Sequence, residues 1–141
     1  MECISYKDGY KYQLKGDYVT QISIIPDHSV KTDYIELTTT GQLTIKYGYA
    51  WDGASGPAPD IPSIMRGSLV HDALYQLMRL KQLDHDKHRE PADRLLQKIC
   101  LEDGMIAPMA WLVYQSVHIG GDPSADPANE KPIIKAPKSC Q

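Results

Sequence analysis

The chain has 141 residues and a formal net charge of −3. This length is typical of one domain, and the charge gives no basic field that would attract nucleic acid. The three cysteines, Cys3, Cys100 and Cys140, are far apart, so we expect neither a disulfide framework nor a cysteine-only zinc site. The polar N-terminus is unlike a signal peptide, and no apolar run reaches the roughly 18 residues that a membrane span requires.

Residues 1–50 are rich in Tyr, Ile, Val and Thr and are punctuated by turn signals, which predicts β structure. The stretch "IELTTTGQLTI" predicts a hairpin whose loop contains Gly41. In "QLTIKYGY" the alternation of apolar and polar residues predicts that Leu43, Ile45 and Tyr47 lie on one face of a strand.

Residues 51–62, "WDGASGPAPDIP", carry too much glycine and proline for regular structure and predict a loop. Beyond it, apolar residues recur at steps of three and four from Met65 to about Leu83, which predicts a helix. A second helix is predicted to begin near Pro91 and to end at Gly104 in a left-handed cap. The apolar segment "MIAPMAWLVYQSVHI" predicts a third helix, with its proline early enough to be tolerated.

The change from strand to helix patterning predicts an α+β fold, in which a small N-terminal antiparallel sheet packs on two or three C-terminal helices. We expect one domain over residues 1–121 and a proline-rich tail over residues 122–141. The tail has four prolines and little apolar mass, so it cannot offset its own ordering cost by burial. Ile133 and Ile134 are its only anchors, which favours an assembly arm that binds a neighbouring subunit. Deleting the tail is therefore expected to leave the melting temperature of the domain nearly unchanged.

The apolar helical stretch "LVHDALYQLMR" contains His71 and Asp72 side by side, followed by Tyr75. His71 and Tyr75 are four residues apart, so they share one face of the helix. Polar groups buried there without partners would cost about 1–3 kcal/mol each, so they must have partners or face a cavity. Asp93, in the first turn of the predicted second helix, lies beside His71 if the two helices pair antiparallel. A carboxylate at that place would fix the histidine tautomer, and we expect the two within hydrogen-bonding reach.

"HDALY" followed by "PADRLL" resembles the H-D-x-x-Y and downstream Asp pattern of secreted calcium-dependent phospholipases, with the layout of the parvovirus capsid phospholipase domain over residues 49–97. The resemblance implies that His71 is a general base for water and that Asp93 orients it. It also implies a calcium ion on Asp72 and on the carbonyls of a loop that contains Gly53. Carbonyl and carboxylate oxygens are the ligands that calcium prefers.

Three features depart from that pattern. "YAWDGAS" lacks the Gly-x-Gly character of the family loop, and Asp52 adds a carboxylate to it as a further candidate metal ligand. The flanking disulfides of the secreted enzymes are absent. Tyr75 is expected to donate a hydrogen bond to the carboxylate that orients the histidine.

The segments "GYAWDGASGP", "HDALY", "PADRLLQ" and "WLVYQSVHIGG" together resemble the phage and prophage family called domain of unknown function 1353. This resemblance spans about residues 15–121 and implies a phage-type protein without naming a reaction. With the cysteine usage, it favours a virion or the host cytoplasm as the place where the protein works.

Other patterns give weaker signals. His85-x-x-His88, flanked by Asp84 and Asp86, could bind zinc, although a solvated turn between helices explains it more simply. Ser55 in "GASG" has neither the spacing nor the following helix of a nucleophile elbow.

Two functions therefore remain. The first is a calcium-dependent ester hydrolase that uses His71. The second is a non-enzymatic virion component, from a tail, baseplate or capsid, in which the polar cluster stabilises the fold. In the second case the partners are phage structural proteins or further copies of the chain, bound through the C-terminal tail.

Overall fold

The structure is a computed structural model, and it describes residues 4–6, 11–54, 60–120 and 134–136. The strands and helices, in chain order, are β1 (Ile4–Tyr6), β2 (Tyr12–Gln13), β3 (Tyr18–Gln21), β4 (Val30–Lys31), β5 (Ile35–Leu37), β6 (Gln42–Ile45), β7 (Ala50–Trp51), α1 (Pro62–Arg79), α2 (His85–Glu102), α3 (Ala107–Gly120) and β8 (Ile134–Ala136).

Antiparallel pairing organises all of the strands. The main sheet has four strands in the order β3-β6-β5-β4, β2 pairs with β7, and β1 pairs with β8. Side chains of β5 and β6, such as Leu37 and Leu43, form one buried cluster with residues of α1 and α2, such as Leu74 and Ile99. A second cluster joins α1 and α2 to α3. The predicted α+β fold, a small antiparallel sheet followed by three helices, is confirmed.

The hairpin between β5 and β6 forms around Gly41, as predicted. Gly41 has a φ of +87°, and a Cβ there would lie 2.4 Å from the carbonyl oxygen of Ile22, so only glycine fits. Leu43 and Ile45 are buried on one face. The prediction for Tyr47 is wrong, since this residue is 58% exposed. The strand ends at Ile45, and the turn that follows rotates the chain before Tyr47 can continue the alternation.

Helix α1 ends at Arg79, although the apolar spacing predicted that it would continue to about Leu83. Lys81 has a φ of +61°, and the N–H of Gln82 donates to the carbonyl of Leu77 at 2.8 Å, which closes the helix end. Leu83 is nevertheless buried, because the chain turns back onto the core after the helix has ended.

Helix α2 begins at His85, earlier than the predicted start near Pro91. Asp84 is the N-cap, and its side chain accepts a hydrogen bond from the backbone N–H of Asp86 at 3.0 Å. Pro91 lies inside the helix, where its missing N–H leaves the carbonyl of Lys87 without a helical donor. The prediction was wrong because the N-cap and the burial of the residues after Pro91 outweigh that loss.

Gly104, the second residue after the end of α2, has a φ of +98°, which confirms the predicted left-handed glycine. Helix α3 then begins at Ala107, and Pro108 lies in its first turn, where proline is tolerated. None of the helices in the described part of the chain is both long and apolar enough to cross a membrane.

Strand β8 belongs to the segment that the sequence assigns to the tail. In the structure Ile134 pairs with Tyr6 and Ala136 pairs with Ile4 of the same chain. Part of this segment therefore returns to the N-terminal strand of its own chain. Ile133 lies outside the described residues, and the assembly role of residues 122–141 stays a prediction.

Candidate active site

His71 of α1 and Asp93 of α2 meet in the core between the two helices. His71 Nε2 lies 2.7 Å from Asp93 Oδ1, and the two residues are 3% and 0% exposed. This distance falls within the predicted hydrogen-bonding range of about 2.6–3.2 Å. The predicted meeting of these two side chains is confirmed.

The two helices run antiparallel, which is why a residue early in α2 reaches the middle of α1. Arg66, near the start of α1, bonds Asp103 just after the end of α2, while Tyr75 bonds Asp93. Gly67 allows a close approach between the helices, because a Cβ there would lie 2.9 Å from the Leu96 side chain. The short turn between α1 and α2 thus sets the register that brings Asp93 to the histidine.

Tyr75 is the second hydrogen-bond partner of the Asp93 carboxylate, beside His71. Its hydroxyl donates to Asp93 Oδ1 at 2.5 Å, and its ring packs on the His71 ring with centroids 4.0 Å apart. Burial, together with the hydrogen bond to Asp93, raises the pKa of Tyr75 far above its usual value, so the hydroxyl stays protonated. Tyr75 is therefore a fixed hydrogen-bond donor, which agrees with the role predicted for it.

The second carboxylate oxygen of Asp93 faces two residues that the sequence analysis missed. Asp93 Oδ2 lies 3.5 Å from Arg89 Nη1 and 3.8 Å from His118 Nδ1. Neither Oδ2 nor His118 Nδ1 makes a hydrogen bond within the described part of the chain, so these contacts are electrostatic. The spacing of four residues between Arg89 and Asp93 was a usable signal, whereas His118 comes from a third helix that no local pattern connects to Asp93.

The pKa of His71 is set by opposing effects. Burial lowers it, but the neighbouring carboxylates of Asp72 and Asp93 outweigh burial and raise the pKa above its usual value. Asp72 Oδ1 lies 3.9 Å from His71 Nδ1, too far for a hydrogen bond, so Asp72 acts on the ring through its charge. The short bond to Asp93 is the contact that fixes the ring and its tautomer.

This shift predicts how stability depends on pH. The pKa of His71 is higher in the folded than in the unfolded state. The stabilisation that the charged His71 gives the folded state is therefore fully present below the unfolded pKa of about 6.5, and it is lost as the pH rises through the folded pKa. We expect the free energy of unfolding of the wild type to fall with rising pH in that window, relative to His71→Gln. Urea denaturation of both proteins across the window measures the difference. A difference that is flat or rises with pH contradicts the assignment.

A small crevice lies beside His71 and Asp72. Ala54 and Ser68 line it, as do apolar side chains that include Val117 of α3. It has room for roughly one water molecule. Since Nε2 of His71 is bonded to Asp93, Nδ1 is the ring nitrogen left to accept a proton.

No activated Ser or Cys nucleophile is found among the side chains that the structure describes around the crevice. Ser68 Oγ donates to the carbonyl of Met65 at 2.9 Å and accepts from Trp51 Nε1 at 3.2 Å, so its hydroxyl is occupied. Burial, reinforced by the charge of Asp103, raises the pKa of the Cys100 thiol to about 11, which keeps it protonated at neutral pH. Ser55 lies outside the described residues. The crevice therefore favours a histidine base over a serine or thiolate nucleophile.

The loop before α1 is held by Asp60, which the sequence analysis did not single out. Its carboxylate accepts hydrogen bonds from the backbone N–H of Ala54 at 2.8 Å and from the Tyr12 hydroxyl at 2.9 Å. These two bonds lower the pKa of Asp60. Gly53 has a φ of +82°, and a Cβ there would lie 2.5 Å from Asp60 Oδ1. Gly53 is thus required for the closed loop.

The candidate metal ligands do not all lie together. Asp72 lines the crevice, but Asp52 accepts a hydrogen bond from the backbone N–H of Lys11 at 3.0 Å and does not line it. Gly53 adjoins Ala54 at the rim, and residues 55–59, which would supply further carbonyls, lie outside the described residues. Among the described carboxylates, Asp72 alone lines the crevice.

A different group of side chains could hold a metal ion. The ligand atoms of Asp84, His85 and Asp86 lie within 4.8 Å of one another at the start of α2. It is the one such group of three that the described residues contain, and it lies in the segment where the sequence suggested a zinc site.

Comparison of the chain with protein-family models, with curated proteins and with solved structures gives no match in any of the three. The resemblances to phospholipases and to the phage family therefore stay predictions, and the geometry of the site is the basis for assigning a function.

Proposed function

We propose that the protein is a phage or prophage hydrolase of phospholipase-like type, which cleaves an ester with His71 as its general base. The observation that carries the proposal is the buried contact between His71 Nε2 and Asp93 Oδ1 beside a crevice with room for roughly one water. Hydrolysis by general-base catalysis uses a base, a group that orients the base and a space for the attacking water.

In the proposed reaction, water in the crevice attacks the carbonyl carbon of the ester while His71 Nδ1 takes up one of its protons. The carbonyl electron pair moves onto its oxygen, and Asp93 stabilises the positive imidazole through Nε2–H. When the tetrahedral intermediate collapses, the bond to the alcohol breaks and Nδ1 returns the proton to the leaving oxygen. The products are an acid and an alcohol, and the histidine is neutral again.

Asp72 is the residue that would bind a calcium ion in this proposal. It lines the crevice and is only partly exposed, and the rim of the loop at Ala54 lies on the same crevice. Calcium bound there would stabilise the negative charge that develops on the carbonyl oxygen. Asp72 would hold the ion, since a carboxylate is a ligand that calcium prefers.

Two observations favour a second function, that of a non-enzymatic virion component. The crevice is too small for an ester, and the site is nearly closed to solvent. In addition, an apolar surface is exposed on and just before α3. Its large exposed side chains are Ile106, Met109, Trp111, Leu112 and Ile119. In that case the buried polar cluster would serve to rigidify the fold, and the apolar surface would bind a neighbour in the particle.

Assays of the wild-type protein and of the variant Asp72→Asn separate the two functions. A water-soluble ester and phospholipid vesicles are offered with calcium and with a chelator. The hydrolase proposal expects product that depends on calcium, and it expects Asp72→Asn to require more calcium because the formal charge at the ion is lost. Absence of hydrolysis under all conditions, together with no shift of the melting temperature by calcium, would reject the hydrolase and leave the virion component.

A further inference from the structure

The two oxygens of the Asp93 carboxylate have different surroundings. Oδ1 accepts hydrogen bonds from His71 and Tyr75, whereas Oδ2 is buried and accepts none from the residues that the structure describes. A buried carboxylate oxygen without a donor is costly, because it has lost its water and gained no replacement. Two cationic or potentially cationic side chains face Oδ2, namely Arg89 at 3.5 Å and His118 at 3.8 Å.

His118, on α3, has an unpaired atom of its own at this place. Its Nδ1 is buried and makes no hydrogen bond within the described part of the chain. The distance of 3.8 Å from Nδ1 to Asp93 Oδ2 exceeds that of a hydrogen bond by about 1 Å. The His118 side chain as a whole is 39% exposed, so its other atoms reach solvent while Nδ1 faces inward. The two unpaired atoms therefore face each other.

We propose that His118 is a positioning residue of the site, whose Nδ1–H donates to Asp93 Oδ2 and thereby holds Oδ1 against His71. A shift of the His118 ring that closes the gap by about 1 Å gives both unpaired atoms a partner. A carboxylate is planar, so its two oxygens turn together about the Cβ–Cγ bond. Fixing Oδ2 therefore restrains Oδ1, which lies 2.7 Å from His71 Nε2.

The surroundings of His118 hold it beside the carboxylate. Arg89 Nη1 donates to the carbonyl oxygen of His118 at 3.0 Å, and the same nitrogen lies 3.5 Å from Asp93 Oδ2. The His118 ring stacks on the Tyr114 ring, with centroids 5.3 Å apart and planes that differ by 13°. Tyr114 is buried, and its hydroxyl donates to Glu90 at 3.3 Å. These contacts join α3 to α2 at the place where Asp93 lies.

Helix α3 thus acts on the site in two ways. Val117 lines the crevice beside His71, and the next residue, His118, faces the carboxylate behind that histidine. Without a donor at Oδ2, the carboxylate and the His71 ring can turn together, and Nδ1 of His71 then leaves the direction of the crevice. Misplacement of a catalytic group by about 1 Å can reduce a rate by about 10²-fold. This effect on rate rests on the proposed hydrolase, whereas the hold on Asp93 does not.

The first measurement is the exchange of the His71 Nε2 proton with water, followed by NMR in the nitrogen-labelled full chain. His118→Leu and His118→Ala both remove the donor, so a result remains if one of them does not fold. Each is expected to speed this exchange about tenfold or more relative to the backbone amides of α1, because a hydrogen bond to a charged group contributes a factor of that size. The comparison with the amides removes any general loss of stability.

Two further variants serve as controls for the exchange measurement. His118→Asn is expected to keep the wild-type exchange rate, since its amide nitrogen is attached at the same distance from the backbone as Nδ1 and can donate to Asp93 Oδ2. His28→Leu replaces an exposed histidine that does not line the crevice, and it is expected to have no effect.

The second measurement is the hydrolysis of a soluble ester at saturating calcium. His118→Leu is expected to lower kcat about tenfold or more with KM unchanged, and His118→Asn is expected to retain most of the rate. A purely structural role of His118 would lower the melting temperature without separating kcat from KM in this way.

The role of His118 and the hydrolase can fail separately. If the wild type hydrolyses no ester but His118→Leu still speeds the exchange of the His71 proton, the hydrolase is rejected and the role of His118 stands. If His118→Leu and His118→Ala exchange this proton at the wild-type rate, or if His118→Asn behaves as they do, the role of His118 is overturned, whatever the hydrolysis assay shows.

Discussion

Replacing Asp93 with alanine is expected to lower the free energy of unfolding by about 3–5 kcal/mol, because it removes one partner from a buried set of charges. Asp93 is fully buried and accepts hydrogen bonds from His71 and Tyr75, while Arg89 lies 3.5 Å from its other oxygen. Without the carboxylate, His71 and Tyr75 keep their desolvation cost and lose the group that offsets it, and Arg89 loses one of its neighbouring charges. Urea denaturation at neutral pH measures the change.

Two further variants make this result interpretable. Asp93→Asn keeps the shape and one acceptor oxygen, so its loss is expected to be smaller than that of Asp93→Ala. Asp33→Ala removes an exposed carboxylate and is expected to change the free energy of unfolding by less than about 0.5 kcal/mol. If Asp93→Ala were no more destabilising than Asp33→Ala, the buried network would not stabilise the fold.

His71→Gln is expected to reduce the rate of ester hydrolysis by about 10²–10⁴-fold, provided that the site is catalytic. Glutamine can still donate a hydrogen bond to Asp93, so folding is expected to be only modestly affected. It cannot accept a proton at neutral pH, so the water in the crevice loses its base. The rate with a soluble ester at saturating calcium is the measurement, and Asp33→Asn, at an exposed position that does not line the crevice, serves as the control.

The pH profile of the hydrolysis rate is a further test, which distinguishes a catalytic role of His71 from a purely structural one. The wild-type rate should increase as the pH rises through the raised pKa of His71, since only the neutral ring is a base. If the cluster is structural, the pattern reverses: His71→Gln would destabilise the protein by about 1–3 kcal/mol, with no hydrolysis to lose. Equal rates for His71→Gln and the wild type would remove His71 from the mechanism.

The two functions predict different behaviour of the same residues, so stability and rate must be measured together. Asp93→Ala is expected to destabilise the protein in either case. His71→Gln distinguishes them, because its side chain retains most of the packing and loses the basic nitrogen.

The sequence by itself determined the features that depend on neighbours along the chain. The period of the apolar residues separated the sheet from the helices, and glycines at positions 41 and 104 marked places where the backbone has a positive φ. The pair His71 and Asp93 could also be predicted, because polar residues on apolar helix faces need partners and a short turn makes consecutive helices antiparallel.

The ends of strands and helices were harder to predict from the sequence, since competing local effects decide where they lie. Tyr47 continues an alternating pattern but lies after the end of its strand. Pro91 has the sequence signature of a helix start but lies inside α2, because the cap at Asp84 and the burial of later residues prevail. In both cases the pattern was real, but a local turn after the strand or a cap before the helix decided where the element ended or began.

Only the tertiary structure decided which residues from distant segments share the site. His118 reaches Asp93 from α3, and Asp60 closes the loop by bonding Tyr12 from the sheet region. His28 and His88 line one groove although a strand region and a whole helix separate them along the chain. These contacts depend on how the helices and strands pack. Unlike the contact between His71 and Asp93, whose helices are joined by a short turn, they leave no signal in periodicity or spacing.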